Sequence, residues 1–212
     1  MTRGRKPRGR LLQHPAMSLS NLVPNENRLS YAYKASLILS AHQFELDDAG
    51  LHWRIGGRSG VWPLASIVQV RLSYRPVSMQ ARRFRADIRN DLGQQLSIFS
   101  TSWQTVALME PQDTGYRAFI LALHSRLLAI GSKAEFVAGL KPWLYRIAMT
   151  ILALVGLTIV GLFVRALWTG LWAGALFVVA FAALFVWQIG GFMRRNRPRQ
   201  YSPDHVPDDL VP

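Results

Sequence analysis

Ile147-Ala-Met-Thr-Ile-Leu-Ala-Leu-Val-Gly-Leu-Thr-Ile-Val-Gly-Leu-Phe-Val164 is a run of 18 residues without a charge, and after Arg165 a second run, Ala166 to Met193, continues for 28. A helix rises about 1.5 Å per residue, so roughly 20 apolar residues cross the hydrocarbon core of a bilayer. Each run therefore reads as one span of a two-helix transmembrane hairpin, over residues 143–165 and 168–191, with Arg165 to Gly170 as a tight turn. Gly190-Gly191 is expected to end or bend the second helix. The pair Gly170 and Gly174 has the small-residue spacing that lets helices approach closely, and is expected to serve packing within the hairpin.

Working outward, the charges flanking these runs set an orientation. Lys133, Lys141 and Arg146 precede the first, Arg194, Arg195, Arg197 and Arg199 follow the second, and the turn holds only Arg165. Both termini are expected in the cytoplasm. Trp143, Tyr145, Trp168 and Trp172 stand where interfacial aromatic belts belong. Apart from Arg165 the runs hold no ionisable residue, which argues against a stand-alone carrier or channel. The hairpin reads as an anchor.

The chain of 212 residues has a net charge of +13 and no cysteine. Disulfide and thiolate chemistry are excluded. The charge divides as +5 over residues 1–30, +4 over 31–131 and +4 over 132–212. Spread this way, it suits an anionic membrane surface better than a nucleic-acid groove. Residues 1–30, rich in Arg, Pro, Asn and Ser, read as a disordered basic tail without the apolar core of a signal peptide.

Residues 31–131 read as one folded domain. Short alternating runs separated by turn residues mark antiparallel strands. Ala35 to Leu39 is expected as the first. Leu51, Trp53 and Ile55 follow the turn Asp47 to Gly50, and Gly56 to Gly60 is a hairpin turn before Val61-Trp62-Pro63-Leu64. Val68, Val70, Leu72 and Tyr74 alternate along the longest strand. Phe84, Ala86 and Ile88 follow, then the turn Asn90 to Gly93 and a last strand from Gln94 to Thr101. The period then becomes helical. Tyr116, Phe119, Ile120, Leu123, Leu127 and Ile130 make one stripe, with Asp113 or Thr114 at its start and Gly131 at its end.

Six or seven antiparallel strands followed by an amphipathic helix resemble a pleckstrin-homology-like domain, in an α+β chain that continues into the hairpin. Phe44-Glu-Leu-Asp-Asp-Ala-Gly-Leu-His-Trp53 and Trp62-Pro-Leu-Ala-Ser-Ile67 are similar to segments of bacterial membrane proteins carrying such a domain. The similarity covers roughly residues 33–131, with the spans after the domain. It implies a binding or scaffolding role in the bacterial inner membrane, and no catalysis.

Residues 132–142 read as a linker, in which Glu135 to Leu140 forms an interfacial half-helix. Residues 194–212 hold four prolines, which forbid a regular helix. This Pro-rich cytoplasmic tail has three readings: solvated, folded back on its own domain, or presenting Tyr201, Val206, Leu210 and Val211 to a partner's groove.

The sequence offers little catalytic chemistry. The five histidines have no metal-ligand spacing, and His52 and His124 read as surface residues. Gly56 to Gly60 lacks the lysine and spacing of a phosphate loop. No cofactor, metal site or enzymatic activity is expected. The one candidate site is basic: Arg71, Arg75, Arg82, Arg83, Arg85 and Arg89 fall on one hairpin. Arginine holds phosphate through two parallel hydrogen bonds, so anionic lipid headgroups or an acidic partner are the expected ligands. A solvated strand face is the alternative. Aromatic stacking platforms are not interleaved with these arginines, which argues against nucleic acid. The expectation is a membrane-anchored adaptor or accessory subunit with a membrane-protein partner. The alternative is a component of a transport or envelope-stress system whose hairpin packs on other spans.

Overall fold

Period-two alternation places Tyr31 and Tyr33 on the inner face of a first strand, β1 (Leu29–Tyr33). This is earlier than the run Ala35 to Leu39, because alternation lets a strand bury one face and wet the other. Ala35 and Ser36 form a bend instead. The structure is a computed structural model and describes residues 28–36, 40–76, 82–105 and 108–212. Most of the basic segment 1–30, part of the expected first strand and the tip of the arginine loop lie outside the described residues.

β1 opens a four-stranded antiparallel meander with β2 (His42–Leu46), β3 (Leu51–Ile55) and β4 (Arg58–Trp62). Gly56 and Gly57 form the two-residue turn between β3 and β4 with φ of +55° and +79°, the mirror-image turn that matches strand twist. β4 accordingly starts at Arg58, ahead of the expected Val61. A 3-10 turn at Leu64–Ser66 leads into a second meander, β5 (Ile67–Tyr74), β6 (Phe84–Asn90) and β7 (Gln95–Phe99). A short ribbon, β8 (Thr101–Trp103) and β9 (Met109–Pro111), precedes helix α1 (Asp113–Ala129).

The two meanders meet through side chains. The Tyr31 hydroxyl donates to the Phe99 carbonyl and the Tyr33 hydroxyl to the Ser97 carbonyl, both at 2.6 Å. Burial pushes both phenols well above their ordinary pKa. From α1, Tyr116, Phe119, Ile120, Leu123 and Leu127 enter the core as the stripe requires. Ile130 lies past the end of the helix and is half exposed.

The expected linker 132–142 contains a strand, not a half-helix. β10 (Glu135–Ala138) lies parallel to β5, pairing Phe136 with Val70 and Ala138 with Leu72. Helix α2 (Pro142–Trp168) extends past both expected ends, and helix α3 (Trp172–Arg195) is shifted four residues toward the C-terminus from the expected 168–191. Gly190 and Gly191 lie inside α3. Leaving α3, the chain forms β11 (Arg199–Gln200) antiparallel to β10. The second sheet thus reads β11-β10-β5-β6-β7, and the hairpin is inserted between two adjacent strands of it.

Both helices are long and apolar enough to cross a membrane, and almost none of their apolar residues is buried. Trp168 and Phe177 are 88% and 71% exposed. A soluble protein rarely leaves so much contiguous apolar surface in water.

The Pro-rich tail folds back on its own domain. Leu210 and Val211 are buried in the core, and Tyr201 and Val206 pack against it. Arg117 on α1 donates to the Pro212 carbonyl at 2.8 Å. Tyr201 also corrects the reading of His124, which is buried. His124 Nδ1 faces the Ile120 carbonyl at 2.7 Å, which can only accept, so Nδ1 carries the proton and Nε2 accepts from the Tyr201 hydroxyl at 2.8 Å.

Burial holds the His124 imidazole below its usual pKa. The unfolded chain takes up a proton at about 6.5 that the folded site refuses, so this stability is present above that pH and lost below it. His42, also held low by burial, acts in the same direction. The melting temperature of the full chain in detergent should fall between about pH 7 and pH 5. His124→Gln should flatten that slope and speed proteolysis of the tail.

Candidate functional site: the arginine face beside the helical hairpin

Alternation along β5 and β6 sends Val70, Leu72, Phe84, Ala86 and Ile88 into the core. It leaves Arg71, Ser73, Arg85, Asp87 and Arg89 on the opposite face. Across the ladder Arg71 opposes Asp87, Ser73 opposes Arg85 and Gln69 opposes Arg89. The six arginines therefore share a hairpin but not an environment.

Arg85 is committed. Its Nε donates to Asp87 Oδ1 at 2.7 Å, and its Nη2 reaches Ser97 Oγ at 3.1 Å. The same carboxylate oxygen accepts from Ser97 Oγ at 2.6 Å and Gln95 Nε2 at 2.9 Å. The Oδ1 atom of Asp87 thus has little capacity left for further donors. Arg71 lies in the field of Asp87 and Glu135. Arg82 and Arg89 are exposed, at opposite ends of the strand.

Arg75 and Arg83 differ. Their main chains pair, with the Arg75 N–H donating to the Arg83 carbonyl at 2.7 Å. The Arg83 guanidinium lies 3.8 Å from the Phe99 ring centroid, a cation–π contact. The Nε groups of both are buried without a hydrogen-bond partner, as is the hydroxyl of Ser73, a residue only 1% exposed. Burial lowers the pKa of Arg71, Arg75 and Arg83, and the like charge of Arg85 lowers those of Arg75 and Arg83 further. Arginine remains charged despite such shifts. This end of the face is cationic, with donors to spare and no acid from Ala49 to Ala86 of the chain.

The same end touches the hairpin. Pro76 closes an apolar groove of about 440 Å³ walled by Ile151, Leu152 and Val155 of α2 and Phe185, Ile189 and Met193 of α3. The junction is fastened by Asn196, at the end of α3. Its Oδ1 accepts from the Tyr74 N–H at 3.1 Å and its Nδ2 donates to the Tyr74 carbonyl at 2.9 Å. The side-chain amide thereby replaces a strand neighbour where β10 has ended. The Asn196 carbonyl accepts from the Leu140 N–H at 3.0 Å. Beneath it Gly139 has φ +82°, and a Cβ there would lie 2.5 Å from the carbonyl oxygens of Asn196 and Arg197. Only glycine fits that crossing. The Arg195 guanidinium covers the Tyr74 ring at 4.9 Å.

Gly170 lies in the turn between the helices with φ +71°, and a Cβ on Gly174 would meet only Leu171 Cβ, at 3.7 Å. Neither glycine therefore has α2 within 4 Å of a would-be Cβ. On the first sheet a concavity of about 450 Å³ is lined by Arg28, Glu45, His52, Trp53 and Arg54. Its charges are largely paired, Arg28 with Glu45 at 2.5 Å and His52 with Asp47 at 2.9 Å. Burial raises the Asp47 pKa, but hydrogen bonds from His52 and from the Ala49 and Gly50 N–H groups outweigh this and hold it low. Among the described residues no three His, Asp or Glu converge as metal ligands.

Sequence reasoning missed Ser73 and Asn196. Ser73 carries a signal, being on the arginine parity of β5. Asn196 carries none, as one amide among basic tail residues. No protein-family model matches the chain, and no curated protein or solved structure is significantly similar to it.

Replacing Asn196 by Leu leaves two half-buried backbone groups of Tyr74 unpaired, at a cost toward the lower end of about 1–3 kcal/mol each. The variant should unfold at lower temperature in detergent, and protease should cut between Arg195 and Arg199 much faster than in the parent chain.

Proposed function

We propose that the chain is a membrane-anchored binding and scaffolding protein, an adaptor or accessory subunit of a bacterial inner-membrane assembly. Its domain faces the cytoplasm and contacts a protein or anionic lipid headgroups. The observation that carries this reading is the insertion of the apolar hairpin between β10 and β11. That pairing holds both polar ends of the hairpin on one side, beside the arginine face. A mobile tether would leave the domain free to wander. An integrated sheet fixes which surface of the domain meets the bilayer.

The order of the strands supports the pleckstrin-homology-like reading. Four antiparallel strands, a corner, three more strands and, after the short β8–β9 ribbon, a helix on the core are in keeping with such a domain. The basic flanks of both helices support cytoplasmic termini.

The second reading, a transport or envelope-stress component, is favoured by one feature of the hairpin. A groove of about 300 Å³ between the helices is lined by Leu152, Gly156, Ala182 and Gly190. A Cβ on either glycine would meet nothing within 4 Å. Another span packing there would find a smooth surface.

Cross-linking the full chain in native membranes, followed by purification in mild detergent, tests the proposal. A stoichiometric membrane-protein partner is the expected result, and a chain that always purifies alone would refute the scaffold role. Contact through the domain predicts that Arg82→Glu with Arg83→Glu weakens that capture. A partner lost only on substituting Gly156 and Gly190 by Leu would favour the hairpin reading.

A further inference from the structure

The arginine face has two ends, and they differ in what they can bind. We propose that its hairpin-proximal end, formed by Ser73, Arg75 and Arg83, holds the phosphate of one anionic phospholipid from the leaflet in which the hairpin stands. The inference rests on the hairpin being seated in a bilayer, as proposed above, and does not require a protein partner.

Three observations carry it. The first is unmet donor capacity. Ser73 is 1% exposed and its hydroxyl has no partner, and the Nε groups of Arg75 and Arg83 are buried and unpaired. Buried polar groups are ordinarily satisfied, so three unsatisfied ones in one place call for an acceptor. Ser73 and Arg75 share a strand face, and the backbones of Arg75 and Arg83 are hydrogen-bonded.

The second observation is charge. Arg85 and Asp87 neutralise one another in the middle of the face, so the net positive charge lies toward its two ends. A phosphodiester supplies the missing oxygens: two accept charge-assisted bonds from guanidinium groups, and one faces the serine hydroxyl. Desolvation of Arg75 and Arg83 makes such a pairing stronger than it would be in water.

The third is location. Pro76 follows Arg75 and borders the apolar groove, whose α2 wall starts at Ala148, just past the last flanking charge, Arg146. This end of β5 therefore lies at the depth where charge gives way to hydrocarbon, which is where lipid phosphates lie. Arg89 is six residues further along β6, roughly 20 Å away at strand spacing, and stays in water. Free inorganic phosphate has the same chemistry but gains nothing from that depth.

The full chain in detergent, titrated with phosphatidylglycerol, phosphatidylcholine or sodium phosphate and read by native mass spectrometry, decides the matter. One phosphatidylglycerol per chain is expected, held at least about tenfold more tightly than phosphatidylcholine and not displaced by excess inorganic phosphate. Arg75→Gln with Arg83→Gln should weaken retention by about tenfold or more, as loss of charged hydrogen bonds does. Ser73→Ala should weaken it a few-fold, and Arg89→Gln should leave it unchanged. Should the double variant fail to fold, Ser73→Ala and Arg89→Gln carry the comparison alone. Equal retention of the two lipids, displacement by phosphate, no effect of Ser73→Ala, or an equal effect of Arg89→Gln would each overturn the assignment. A chain that purifies without a protein partner yet keeps its lipid would sink the scaffold role and leave this site standing.

Discussion

Two hydrogen bonds from one side-chain amide hold this molecule in its working shape. Asn196 pairs with both backbone groups of Tyr74, at the place where β10 has ended and that edge of β5 lacks a strand neighbour. A buried backbone N–H or carbonyl left unpaired is costly, and an asparagine amide presents a donor and an acceptor side by side, as a neighbouring strand would. Because Asn196 ends α3 and Tyr74 ends β5, the bonds convert two elements into one rigid corner. The glycine crossing at Gly139 and the cation–π contact of Arg195 with Tyr74 complete it.

From that corner follows the relation between anchor and domain. The strands on either side of the hairpin are neighbours in one sheet, so the two helices leave and re-enter the domain side by side. The tail then closes the open side of α1. His124, Tyr201 and Phe136 form a buried aromatic cluster, and Leu210 and Val211 fill the core beyond it. A segment with four prolines cannot sustain a helix or a long ladder, and beyond the two residues of β11 it instead lays spaced apolar side chains into a groove. Here the groove belongs to the chain itself.

The arginine face shows why a count of charges is a poor guide to a site. Six arginines on one hairpin suggest a uniform patch. The register divides them instead: Arg85 is tied to Asp87, Arg71 lies in the field of Asp87 and Glu135, Arg82 and Arg89 are solvated. Arg75 and Arg83 alone combine burial with unmet hydrogen-bonding capacity. Position relative to the hairpin separates the ends again, since Pro76 and not Arg89 borders the helices.

Much of this was determined by the sequence by itself. Uncharged runs of helical length define the hairpin, and alternation defines β3, β5 and β6, because hydrophobic period is a local property of the chain. The stripe of α1 is legible for the same reason, down to five of its six residues. What only the tertiary structure decided are the short, non-local pairings. β10 has four residues and β11 two, too few for any period to show. Their strand character comes from partners more than 60 residues away in sequence. The burial of His124, the docking of the tail and the role of Asn196 belong to the same class. Each is a long-range contact whose energy depends on what the rest of the fold brings opposite, and no local pattern encodes it.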